Sequence, residues 1–171
     1  SMAAKGDTIF AGTNDGVYIS VNNGANWSLT NLNQAGDFLL IDGNNVIAGT
    51  SFGVYRTTNN GQNWSLLGIS NRSVWAIAKK DNNIFAGTTG YGVYRSTDNG
   101  VNWEISLQKT TQISSLTIKD NYIFAGDWMS PTIYVSSNNG STWDSTSLGG
   151  PFTRVVLSLA VKGNIVFAGT D

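Results

Sequence analysis

The sequence predicts an all-β fold in which one four-stranded antiparallel unit recurs about four times, and three observations lead there. An octapeptide turn repeats: SVNNGANW ends at Trp27, TTNNGQNW at Trp64, STDNGVNW at Trp103 and SSNNGSTW at Trp143, with spacings of 37, 39 and 40 residues. A short apolar marker keeps the same beat, as IFAGT from Ile9, VIAGT from Val46, IFAGT from Ile84, IFAGD from Ile123 and VFAGT from Val166. No segment shows the 3.6-residue apolar period of a helix. Self-similarity at about 40 residues without helical patterning marks a repeat architecture.

Each strand can be justified in order within the unit that starts at Val74. VWAIAKK (Val74 to Lys80) is apolar and suits a buried first strand, and Asp81 to Asn83 turn the chain. IFAGT (Ile84 to Thr88) is a second strand, apolar on both faces. A loop from Thr89 to Gly92 leads into VYRST (Val93 to Thr97), and NWEISL (Asn102 to Leu107) completes the sheet. The Asn99-Gly100 pair between the last two strands is a hairpin signal, because a tight turn needs positive φ, which Asn and Gly adopt at least cost. Strands apolar on both faces must be covered on both sides. Four-stranded units of about 40 residues packed face to face describe a β-propeller. A β-solenoid also repeats, but with shorter units of a single turn. The Ala-Gly pairs, such as Ala86-Gly87, predict close approach between sheets, where a side chain would not fit.

The octapeptide reads as a structural device. Ser96 and Asp98 are placed to fold side-chain oxygens onto turn amides, Gly100 supplies the positive φ, and Trp103 fills the gap between units. The equivalent residues are Ser20, Asn22, Gly24 and Trp27 in the first turn, Thr57, Asn59, Gly61 and Trp64 in the second, and Ser136, Asn138, Gly140 and Trp143 in the fourth.

Composition excludes several kinds of chemistry. The chain has 171 residues and a net charge of −1, with 10 basic and 11 acidic side chains. It therefore offers no basic footprint for nucleic acid and no polybasic patch for a membrane surface. No run of about 18 apolar residues predicts a span. Absence of Cys and His removes thiol nucleophiles, thiolate sites, the commonest general base and the commonest metal ligand. Neither a metal nor a cofactor is expected. The opening Ser-Met is similar to a cloning remnant, and residues 1–6 are set aside as an N-terminal extension. The repeats then fill 7–171, as units 7–34, 35–71, 72–110, 111–151 and a partial 152–171.

The pattern Ser/Thr-x-Asp/Asn-x-Gly-x-x-Trp resembles the Asp-box, or BNR repeat, of sialidase-like, sortilin-like and photosystem II assembly factor-like propellers and of secreted bacterial repeat proteins. Four matches in register cover nearly the whole chain. The third position departs from the family pattern, being Asn22, Asn59 and Asn138 in three boxes and Asp only at Asp98. The resemblance implies a propeller with the boxes on the rim away from the ligand face, and a secreted or cell-envelope location.

Ligand-face candidates are sought where the repeats diverge. The loops between second and third strands, and those between units, supply Phe52, Arg72, Tyr91, Asp127, Trp128, Met129, Phe152 and Arg154, an aromatic and cationic set suited to a protein or a carbohydrate. The sialidase resemblance raises an enzymatic alternative. Glycoside cleavage needs two facing carboxylates, for which Asp37 and Asp127 are the candidate pair, while the single Glu104 falls on an outer strand. No catalytic residue is assigned, and a non-catalytic binding scaffold is the favoured reading. Counted in strands, the chain enters at a second strand, DTIFAGT from Asp7, and ends on a first and a second strand from Val155. Head-to-tail pairing of two chains into one closed ring is the expected assembly.

Overall fold

The computed structural model describes residues 1–149 and 155–171. Among them there is no helix, and the strands form four four-stranded antiparallel sheets and one two-stranded sheet. The first sheet holds β1 (Met2–Lys5), β2 (Thr8–Thr13), β3 (Gly16–Ser20) and β4 (Ser28–Leu29) in sequence order. The second holds β5 (Gly36–Asp42), β6 (Asn45–Thr50), β7 (Gly53–Thr57) and β8 (Ser65–Gly68). The third is β9 (Val74–Lys80), β10 (Asn83–Thr88), β11 (Gly92–Ser96) and β12 (Glu104–Leu107), and the fourth is β13 (Ile113–Lys119), β14 (Tyr122–Asp127), β15 (Thr132–Ser136) and β16 (Asp144–Ser147). The two-stranded sheet pairs β17 (Val156–Lys162) with β18 (Ile165–Thr170). The chain divides into two compact units, Ser1–Val74 and Trp75–Asp171.

One expectation is corrected at the start of the chain. Met2–Lys5, set aside with the 1–6 extension, is a first strand that pairs Lys5 with Thr8 and Met2 with Ala11, and Gly12 donates its N–H to the Ser1 carbonyl at 2.9 Å. Met-Ala-Ala-Lys shows no apolar alternation, and it is placed by backbone pairing, by Ala3 against the core cluster and by Lys5 bonding the Gly43 carbonyl. The fourth strands also start later than predicted, at Glu104 rather than Asn102, because Asn102 and Trp103 belong to the turn.

The four octapeptide turns share one geometry. The Gly100 N–H donates to Ser96 Oγ at 2.8 Å and the Asn102 N–H to Asp98 Oδ1 at 2.9 Å. The same pair of bonds joins Gly24 to Ser20 and Asn26 to Asn22 at 2.9 Å each, Gly61 to Thr57 and Asn63 to Asn59 at 2.9 Å each, and Gly140 to Ser136 at 2.8 Å and Thr142 to Asn138 at 2.9 Å. Each hydroxyl in turn donates to the carbonyl or carboxylate oxygen two residues on, as Ser96 does to Asp98 at 2.8 Å. At each apex an Asn and a Gly have positive φ, 60° and 92° at Asn99 and Gly100. Asn replaces Asp in three turns without loss, since only an oxygen acceptor is required.

Packing within each unit repeats as well. In the first unit Phe10, Val17, Leu32, Leu39, Val46 and Ala48 form one core cluster, with Trp64 packed against it. In the second, Phe85, Val93, Ile113, Leu116, Ile123 and Ala125 lie at the heart of another, with Trp143 against it. Gly12, Gly87 and Gly126 of the Ala-Gly pairs face the next sheet within their unit. A Cβ added at Gly87 would meet Ile113 Cγ2 at 2.6 Å, and one at Gly126 would meet Val156 Cγ1 at 2.5 Å. Two of the turns lean on the preceding sheet of their unit: Asn31 donates its N–H to the Gly61 carbonyl at 3.1 Å, and Ser106 Oγ donates to the Gly140 carbonyl at 2.6 Å while accepting from Trp143 Nε1 at 3.0 Å. Trp27 departs from the predicted plugging role and is 39% exposed, its Nε1 donating to the Gly24 carbonyl. No described sheet precedes the first to receive it.

The single acidic turn carries a pH signature. The Asn102 backbone and side-chain amides, with Ser96, hold the Asp98 carboxyl down at about 2. A depressed folded value means that this contribution is complete above the ordinary carboxylate range and is lost as pH falls toward 2. Thermal melts of wild type and Asp98→Asn should therefore run parallel at neutral pH and converge below about pH 3.5, with Asp98 giving an NMR midpoint near 2; a midpoint at the ordinary value would show that the turn amides are not bonded to it.

Candidate functional site

In each sheet the octapeptide turn and the loop between second and third strands lie at opposite strand ends. In the third sheet β10 runs to Thr88, the chain loops through Tyr91, and β11 returns from Gly92 to Ser96, where the turn begins. Tyr91 is thus at the end of its sheet away from Gly100, Trp128 away from Gly140, and Phe52 away from Gly61.

The second unit brings several candidates along one edge. The Gly90 N–H donates to the Thr111 carbonyl at 2.9 Å and Thr89 bridges to Gln112, while the Trp128 N–H donates to the Gln112 carbonyl at 2.9 Å. The segment Gln108–Gln112 is therefore flanked by the Tyr91 loop on one side and the Trp128 loop on the other. Tyr91 is 41% exposed, Trp128 45% and Met129 68%. Beside Tyr91 lies an open cavity of about 400 Å³ lined by Gly90, Tyr91, Ile105, Gln108, Lys109 and Thr110. Lys109 also places its ammonium 5.5 Å from the centre of the Tyr134 ring.

Asp127 is the anchor of this edge rather than an exposed ligand contact. Where the equivalent Thr50 and Thr88 hydroxyls each donate to the Gly carbonyl that ends the loop, at 3.0 Å, the fourth sheet has a buried carboxylate. Its Oδ1 accepts from Thr111 Oγ1 and from the Met129 N–H at 2.7 Å. Its Oδ2 accepts from Ser130 Oγ at 2.9 Å and from the Tyr134 hydroxyl at 3.4 Å. Burial, and then the neighbouring Asp127 charge, raise the Tyr134 phenol above its ordinary value. Asp127 holds the Met129 amide and the Gln112 carbonyl holds the Trp128 amide, so these two side chains are presented from a hydrogen-bonded loop.

In the first unit Phe52 is 53% exposed, and its carbonyl accepts from the Asn71 N–H at 3.2 Å, which sets Arg72 beside it. Asp37 lies on β5, its carboxyl raised by burial against a smaller opposing pull from Ser51 and the N-terminal ammonium. Phe152 and Arg154 lie outside the described residues. Glu104 pairs with Arg95 on the outer two strands of the third sheet, and Arg56 holds the matching position on β7.

Sequence reasoning missed Ile105, which holds the repeat position of Leu29 and Leu66, and missed Gln108 and Lys109. It also missed two equivalent clefts at the turn end of the sheets. One, of about 380 Å³, lies between Lys5, Phe10 and Asn59–Asn60; the other, of about 360 Å³, lies between Lys80, Phe85 and Asn138–Asn139. In each a lysine at the end of a first strand clasps the next sheet, Lys5 donating to the Gly43 carbonyl at 2.8 Å and Lys80 to Asn121 Oδ1 at 3.1 Å. The signal was present, since Lys5, Lys80, Lys119 and Lys162 share one repeat position.

No protein-family model and no curated protein matches the chain. Solved structures do. The chain is similar to the extracellular domain of the hybrid two-component system BT4673 from B. thetaiotaomicron, with 17% identity and a TM-score of 0.83 over 99% of this chain and 25% of that one. An ancestral GH74 enzyme gives 22% identity and a TM-score of 0.75, over 91% of this chain and 25% of that one. The repeated four-stranded sheets of the present chain are β-propeller blades. YCF48 bound to D1 peptide aligns at 15% identity and a TM-score of 0.68, over 96% of this chain and 59% of that one. The propeller chain thus spans between a quarter and about three fifths of these neighbours.

The two classes of tryptophan should separate experimentally. Trp143→Ala should lower unfolding free energy by about 3 to 5 kcal/mol, as for other truncated core aromatics, whereas Trp128→Ala should stay within about 0.5 kcal/mol of wild type in urea melts. Equal destabilisation by both would place Trp128 in the packing rather than on a free edge.

Proposed function

We propose that the chain is a non-catalytic Asp-box propeller, a binding and interaction scaffold from a secreted or cell-envelope bacterial repeat protein, whose ring is completed by head-to-tail pairing of two copies. The Asp-box assignment is supported by the shared turn geometry, with its paired hydroxyl and carbonyl acceptors. The binding role is carried by one observation: Trp128 and Met129 are exposed on a loop anchored by a fully bonded buried carboxylate, across the Gln108–Gln112 segment from the Tyr91 loop and its open cavity. An exposed aromatic and thioether carried on a hydrogen-bonded backbone leave less of the loop to be ordered on binding, which suits an extended peptide or a protein loop. A neighbour solved with a peptide bound is consistent with that class of ligand, and neighbours that include an extracellular domain favour the location.

A sugar ligand, or hydrolysis of one, is the second reading, favoured by the likeness to a GH74 enzyme. Against hydrolysis, the oxygens of Asp127 are committed to Thr111, Ser130, Tyr134 and the Met129 amide, which leaves no free carboxylate at this edge to act as acid or base.

Screening the chain against immobilised peptide and glycan arrays tests the reading. A retained ligand should weaken at least tenfold in Trp128→Ala and be unchanged in Arg56→Ala. Turnover of a fluorogenic glycoside that is lost in Asp127→Ala would overturn the non-catalytic assignment, and a ligand indifferent to Trp128→Ala would overturn the site.

A further inference from the structure

We infer that Asn60 is a site of spontaneous covalent modification, in which its side chain cyclises onto the Gly61 nitrogen with loss of ammonia, and that the Thr57 hydroxyl is the latch that restrains it.

The chain has four Asn-Gly pairs, Asn23-Gly24, Asn60-Gly61, Asn99-Gly100 and Asn139-Gly140, and all four stand at the apices of the octapeptide turns. Asparagine is a thermolabile residue, and a glycine after it leaves the attacking nitrogen unshielded by any side chain. In the reaction the Gly61 nitrogen bonds to Asn60 Cγ, the Cγ–Nδ2 bond breaks, and the amide proton departs with that nitrogen as ammonia. Water then opens the five-membered imide. Breaking the new bond leaves aspartate, and breaking the original peptide bond leaves isoaspartate, with the main chain rerouted through Cγ. The only co-reactant is water.

The turn holds the attacking atom. The Gly61 N–H donates to Thr57 Oγ1 at 2.9 Å, and both residues are buried. Ser20, Ser96 and Ser136 hold the Gly24, Gly100 and Gly140 amides in the same way, at 2.8 to 2.9 Å. A nitrogen whose hydrogen is committed to a buried acceptor does not lose its proton to water, so cyclisation waits on local opening of the turn.

What separates Asn60 from the other three is the tether on the asparagine itself. Asn23 Nδ2 donates to Asp7 Oδ1 at 3.2 Å, Asn99 Nδ2 to Asn82 Oδ1 at 2.9 Å and Asn139 Nδ2 to Asn83 Oδ1 at 3.2 Å. Asn23 and Asn99 also donate their backbone N–H groups to the Asp7 and Asn82 carbonyls, at 3.0 and 2.9 Å, and the Asn139 carbonyl accepts from Arg95. Asn60 is exposed, and among the described residues it has no hydrogen-bond partner through side chain or backbone. The structure supplies the reason. Asn44 holds in the second sheet the position that Asp7 and Asn82 hold in the first and third, but its Oδ1 accepts from Lys5 Nζ at 2.5 Å. The lysine that clasps the two sheets occupies the acceptor that tethers the apex elsewhere. One neutral hydrogen bond is worth a factor of roughly 2 to 10, so Asn60 is the least restrained of the four. Its conversion makes the chain one charge more negative than its present −1 and sets a carboxylate in the cleft that Asn60 lines with Lys5.

Ageing the full chain in mildly alkaline buffer, with peptide mapping by mass spectrometry, ranks the four sites, because each conversion replaces an amide by a heavier acid. Asn60 should convert at least threefold faster than Asn23, Asn99 or Asn139 in the folded chain, whereas all four should convert at similar rates in urea. Thr57→Ala should raise the Asn60 rate at least tenfold and leave Asn139 unchanged, while Thr57→Ser, which keeps the acceptor, should stay at the wild-type rate. Asn60→Gln should remove the first acidic species seen on ion exchange. Another asparagine converting first, or four equal rates in the folded chain, overturns the assignment to Asn60. An unchanged Asn60 rate in folded Thr57→Ala overturns the latch; if that variant does not fold, a wild-type Asn60 rate that is the same folded and in urea overturns it instead.

Discussion

The bond from a glycine amide to a Ser or Thr hydroxyl four residues earlier is the constraint on which each blade depends. At Gly24, Gly61, Gly100 and Gly140 it closes a turn whose two apex residues both have positive φ. Unsatisfied, that buried amide would cost about 1 to 3 kcal/mol. The closure fixes how the third and fourth strands separate, and after it Trp64 and Trp143 pack against the core of their unit. Sheets set in this way approach closely enough for Gly87 and Gly126 to admit no side chain. The chain is thus rigid at one end of every blade.

Rigidity at the turn end leaves the opposite end free to vary, and variation there is confined to few residues. Thr50 and Thr88 close their loops through a hydroxyl, and Asp127 does the same work with a carboxylate that gathers four donors and supports a longer loop. In the fourth sheet the longer loop that follows Asp127 presents Trp128 and Met129. Charge plays little part in this, because the buried carboxylate is balanced by hydrogen bonds rather than by a cation.

Much of the fold was legible because the repeats encode local chemistry. Asn-Gly at each apex, Ser or Thr at each closure and Gly after Ala in each second strand have one physical reading each, and the structure agrees with all three. The first strand was hard to read, since Met-Ala-Ala-Lys lacks apolar alternation and only Ala3 and Lys5 keep the repeat, packing on the core cluster and bonding the Gly43 carbonyl beside the pairing with β2. Trp27 followed the motif yet is left uncovered, because its burial depends on a neighbouring sheet and not on its own turn. The candidate edge was half legible: Tyr91, Trp128 and Met129 stood out by divergence, whereas Lys109 and Gln108 become relevant only through the contacts of Thr111 and Gln112 with the two loops. That Asp127 is an anchor follows from its four partners, which sequence spacing does not reveal.

Amide hydrogen exchange at the four turn glycines tests the account most directly. If the hydroxyl bonds organise the blades, Gly24, Gly61, Gly100 and Gly140 should exchange at least a hundredfold more slowly than unstructured amides, and Ser96→Ala should release Gly100 while the other three stay protected. Rapid exchange at these glycines in the wild-type chain, with the sheets otherwise protected, would contradict it.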